Sequence, residues 1–139
     1  MAKSFLYRLF GLGKIPVALR ATLDSEGVLA LDEGIKGSLT YLDFRAPGKY
    51  SSWRRIWFTA AIVITEVRLV ALQNTNLAIN VPFTDERIRS LRFSVEGTGR
   101  LLIAFDASLF HADWSGAMEY RFRTTGAEAF VTKLRERIG

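Results

Sequence analysis

The chain contains no cysteine. That excludes disulfide staples, thiolate metal sites and a cysteine nucleophile. One histidine, His111, leaves an imidazole-based metal or acid–base centre with a single candidate. No apolar run approaches the ~20 residues that a membrane-spanning helix needs. The most apolar stretch, IWFTAAIVIT, is ten residues long, and its β-branched and aromatic content reads as a buried strand. A signal peptide is not expected, because Arg8 and Gly11 interrupt the first apolar run and no small-residue cleavage site follows. Phosphate-loop and dinucleotide patterns are also missing: GLG at 11–13 lacks a preceding strand, and GTGR at 97–100 suits a hairpin turn. No nucleophile elbow and no internal repeat is visible.

What remains is a well-stocked hydrophobic chain. Of 139 residues, 49% are hydrophobic, with ten Phe and three Trp, enough for one domain with its own core. The formal net charge of +5 favours acidic partners such as phospholipid headgroups or an acidic protein, and also serves solubility. Nucleic acid is the weaker partner reading, since the basic excess is small and no RNA-binding sheet motif is present. A cytoplasmic location is expected, with peripheral membrane association as an extension of it.

Residues 3–14 suit a short amphipathic helix with Phe5, Leu6, Leu9, Leu12 and Phe10 on one side and Lys3, Arg8 and Lys14 on the other. Its apolar stripe would dock on a sheet, on a second subunit or on a membrane surface. Pro16 suits the first turn of a second helix that Gly27 stops. VLALDEG and IKGSLTYLDF then read as two strands joined at Glu33-Gly34, with Leu39, Tyr41 and Asp43 on one face and Thr40, Leu42 and Phe44 on the other. RAPGKYSSWRR, residues 45–55, reads as a long loop, with Pro47, Gly48, Ser51 and Ser52 as turn chemistry.

Six further strands follow: RIWFTAAIVIT, RLVALQ, LAINVPF, IRSLRFSVEG, RLLIAFDA and AMEYRFR. Asn74–Asn76 and Gly97–Gly99 read as turns, and Pro82 as a strand end or edge. In the last strand, Met118, Tyr120 and Phe122 alternate with Glu119, Arg121 and Arg123, giving one apolar and one largely cationic face. TGAEAFVTKLRERI is an amphipathic helix. Thr125 and Glu128 predict a capping box, and Ala127, Phe130, Val131, Leu134 and Ile138 form its apolar stripe.

ITEVRLVALQ, NVPFTDERIRSLRFS, GRLLIAFD, and GAMEYRFRT with the helix GAEAFVTKLRERI resemble bacterial pleckstrin-homology-like (PH-like) and GRAM-like domains, over residues 53–139. The whole chain also resembles a group of bacterial proteins with a GLGKIP-type segment, which implies no particular activity. The resemblance implies a mainly β, α+β fold: a bent sheet or small barrel of about seven antiparallel strands capped by a C-terminal helix. Residues 1–27 would be an N-terminal helical segment and 28–139 the PH-like domain.

The expected function is a non-catalytic binding or scaffold module, without cofactor, metal or catalytic residues. Arg45, Lys49, Trp53, Arg54 and Arg55 are the candidate site for an anionic headgroup or acidic partner, because arginine forks match phosphate oxygens and Trp suits an interface. Two other readings stay open. One is a homo-oligomer that buries Phe5, Leu6, Leu9 and Phe10. The other is a small-molecule carrier with a polar cavity near His111, Asp106 and Asp113.

Overall fold

The computed structural model describes residues 14–139. The expected N-terminal helix, with Phe5, Leu6, Leu9 and Phe10, lies outside the described residues except for Lys14. Helix α1 spans Val17–Glu26. Pro16 precedes it at the N-cap with φ −56°, the value its ring imposes, and Gly27 ends it at φ 85°.

Seven antiparallel strands follow: β1 Val28–Ala46, β2 Lys49–Thr65, β3 Arg68–Gln73, β4 Asn76–Pro82, β5 Arg92–Glu96, β6 Arg100–Asp106 and β7 Ser115–Arg123. Helix α2, Ala127–Ile138, closes the chain. The strands form one sheet in the order β4-β3-β2-β1-β7-β6-β5. The sheet is open, with β4 and β5 as its edges, so the barrel alternative is corrected. Strand closure is replaced by filling: Phe130, Val131 and Leu134 of α2 share one buried core with Ile64, Leu69, Ile79, Leu101 and Ile103 from both halves of the sheet.

Three local expectations are also corrected. Glu33-Gly34 does not turn the chain. Strand β1 runs through it, and the register with β2 slips between Glu33 and Ile35, where Gly34 takes φ 70°. A glycine in the left-handed region lets a strand absorb an extra residue as a bulge. The segment 45–55 is not a long loop. Only Pro47 and Gly48 turn, with Gly48 at φ 74°, and Ser51 lies paired with Phe44. The outcome is a long β1–β2 hairpin arm. Finally, the first three residues of an expected strand, Ile88–Ser90, belong to a 3-10 turn, Glu86–Ser90, because the Asp85 carboxylate accepts from Arg87 N at 2.9 Å and nucleates it.

The sheet is covered on both faces, but unequally. On the inner face α2 buries the core just described. On the outer face α1 covers only one part, where Leu23 and Ile15 pack on Ala61, Val63, Val70 and Leu72. This explains β2. Its second half, Phe58–Thr65, is buried on both faces and reads as a continuous apolar run, whereas its first half is mostly exposed.

Candidate cationic site on the outer sheet face

Strand order and register decide which side chains meet. Alternation places Arg55, Trp57 and Thr59 of β2 on the outer face. Directly across on β1 stand Thr40, Ser38 and Lys36. Ser38 is in turn opposite Arg121 of β7, Arg121 opposite Leu102 of β6, and Arg123 opposite Arg100. Residues far apart in sequence therefore line one concavity of about 1010 Å³. Its floor is made of small side chains, with Ser38 and Thr59 buried. One wall is the Gly97–Gly99 turn, held against the end of β7 by Thr124 N donating to Gly99 O at 2.9 Å.

The concavity is strongly cationic. Lys36, Arg55, Arg100, Arg121 and Arg123 line it against one carboxylate, Glu96. Arg121 is neutralised. Its Nε donates to Glu96 Oε1 at 2.8 Å, reaching diagonally over β6, and its Nη1 lies 3.0 Å from Glu119 Oε1 in an ion pair without hydrogen-bond alignment. The Glu96 hydrogen bond, more than Glu119, holds the Arg121 guanidinium above the ordinary arginine range. Arg55 is fixed by donating from Nε to Thr40 Oγ1 at 2.8 Å and lies over the rings of Trp53 and Trp57 at 5.3 and 5.9 Å. Lys36, Arg100 and Arg123 form no ion pair among the described residues. Arg100 directly opposite Arg123 is an unfavourable like-charge cross-strand pair.

The five residues singled out in the sequence are divided by the structure. Arg55 lines the concavity, with Trp53 beside it. Arg54 is opposite Tyr41, so alternation sends it to the other face. Arg45 lies over the Tyr50 ring at 4.5 Å and Lys49 pairs with Ala46 near the turn, both out along the arm. Lys36, Arg100, Arg121 and Arg123 were not singled out. The cationic face of β7 was readable in MEYRFR, but only the β1–β7–β6 pairing brings Lys36 and Arg100 to it.

The residues of the alternative carrier reading have other neighbours. Exposed His111 stacks on Trp114 at 3.6 Å, and Asp106 pairs with Arg92 at 3.9 Å. Among the described residues no three His, Asp or Glu side chains gather closely enough to hold a metal ion. No helix among them is long and apolar enough to cross a membrane. No protein-family model matches the chain, and no curated protein matches it.

Proposed function

We propose that this chain is a non-catalytic, PH-like binding module that captures phosphate-bearing ligands on the outer face of its sheet. The carrying observation is the like-charged pair Arg100–Arg123 beside Lys36, without an ion pair to a carboxylate among the described residues, at a concave site. A fold gains nothing from placing these charges together, whereas a bound anion turns their repulsion into attraction. The strand order, with its C-terminal helix packed against both halves of the sheet, supports the PH-like reading of the sequence. Arginine forks bind phosphate oxygens through paired hydrogen bonds, and a phosphate group, with its larger charge and three acceptor oxygens, can meet several of these cations at once where a carboxylate carries a single charge.

The test measures binding of phosphatidic acid vesicles and of inorganic tripolyphosphate at low and high salt, with phosphatidylcholine vesicles as the neutral control. Salt-sensitive binding of at least one anion, weakened about tenfold or more by Arg123→Glu, is the expected result. Absence of binding to either anion at low salt, or equal binding by the variant, would overturn the proposal.

A further inference from the structure

The cationic site has an aromatic neighbour that phosphate binding alone leaves unexplained. Trp57 is 71% exposed, the most exposed aromatic side chain in the described chain, and it lines the concavity. A sheet buries Trp when it can, because so large an apolar surface gains from leaving water. Its row runs Trp57, Ser38, Arg121 across β2, β1 and β7. Ser38, opposite the ring on β1, is small and buried, and the Arg55 guanidinium lies 5.9 Å from the ring centroid.

A membrane anchor does not account for this ring. Trp57 stands eight residues from Lys49, where β2 begins, or about 26 Å along the strand. An interface-seeking aromatic belongs at a protruding tip, as Tyr50 does, and not in a concavity. Ring and charges are instead spaced for one ligand. The β2 and β7 backbones are separated by about 10 Å, two strand spacings, and Arg123 lies one residue pair further along. Arginine and lysine side chains reach back over much of that gap.

We propose that the site takes a nucleotide: a planar base stacked on Trp57, with its phosphates over Lys36, Arg100 and Arg123. This rests on the phosphate-binding reading of the same face and names the ligand class. Charge complementarity selects the phosphates, since the concavity holds five cations and one carboxylate. The exposed π-face selects the ring, since stacking on an aromatic side chain accepts any base.

Calorimetric titration of the full chain with magnesium-free adenosine triphosphate and with inorganic tripolyphosphate tests it, beside the phosphatidic acid vesicles. Adenosine triphosphate should bind about tenfold tighter than tripolyphosphate. Trp57→Ala should remove that advantage and leave tripolyphosphate affinity unchanged, while Arg123→Glu should weaken both. Because Trp57 is exposed, its variant should keep the wild-type melting temperature. Equal affinity for the two anions, or a Trp57→Ala variant that still prefers the nucleotide, would overturn the stacked base and leave the phosphate site standing. Vesicle binding with no nucleotide binding would do the same. Failure of every anion to bind would overturn both readings.

Discussion

At the scale of single residues, two positions carry constraints that the sequence does not announce. Gly116 has φ 95°, and a Cβ there would sit 2.4 Å from Asp43 O and 2.6 Å from Leu42 O. Both obstacles are backbone atoms of the neighbouring strand, so neither can rotate away. Gly116→Ala should therefore cost about 3 kcal/mol, read as a lowered midpoint in urea unfolding. Asp43 itself takes φ 47° and interrupts the alternation of β1. Phe44, expected on the face away from Tyr41, is instead buried with its ring 4.7 Å from Tyr41 and 5.2 Å from Trp114. Tyr120 offers a pH test. Burial pushes its hydroxyl far above the ordinary tyrosine value, and the neighbouring Tyr41 adds to the effect. The native state keeps that proton while the unfolded chain releases it near pH ~10. Stability present below that pH is thus lost as the pH rises towards the folded-state pKa. Between pH 9 and ~11 the melting temperature of Tyr120→Phe should fall less than that of the wild type; parallel curves would sink the argument.

Secondary elements were the most legible level, where local chemistry dictates structure. RLVALQ is β3, Asn74 at φ 57° turns into β4, and Gly97 and Gly99 at φ 58° and 112° turn into β6. The apolar stripe of α2 is buried at Ala127, Phe130, Val131 and Leu134 as its spacing predicts. Its cap was not legible. Gly126, rather than Thr125, is the N-cap, and no side chain caps the helix there. Thr124 acts instead: its Oγ1 accepts from Gly126 N at 3.2 Å and donates to buried Asp32 Oδ2 at 2.7 Å. That bond joins residues 92 positions apart, so no local pattern could reveal it. Thr124→Val removes the donor from a buried carboxylate and should cost about 1–3 kcal/mol, measured by denaturant unfolding. The long loop misread at 45–55 has the same origin. Pro, Gly and Ser mark turns locally, yet pairing with β1 carried all but Pro47 and Gly48 into strand.

At the scale of the whole molecule, an open sheet leaves two faces to account for, and the chain treats them differently. The inner face is covered by α2 together with Ile88 and Leu91 around the 3-10 turn and Ala107, Phe110 and Trp114 before β7. The outer face is divided between α1, which covers Ala61, Val63, Val70 and Leu72, and the uncovered cationic concavity. Composition revealed the net charge but not its concentration, because Lys36, Arg100 and Arg123 meet only through the pairing of the first strand with the last. The two halves of the outer face make opposite predictions about stability. Leu23 is wholly buried between α1 and the sheet. Leu23→Ala should cost about 2–5 kcal/mol, because a short helix has little capacity to close the cavity. Arg123→Glu should cost nothing and could only gain, by about 0.2–1 kcal/mol, since it replaces a like-charge cross-strand pair with an opposite one. Thermal melts of the two variants beside their anion titrations separate the roles. A framework residue should lower stability and leave the affinity of the folded protein intact. A binding residue should raise or preserve stability and weaken affinity about tenfold or more. If Arg123→Glu destabilised the fold as Leu23→Ala does, the cationic face would be part of the framework, and the like-charge pairing that motivates the binding proposal would lose its force.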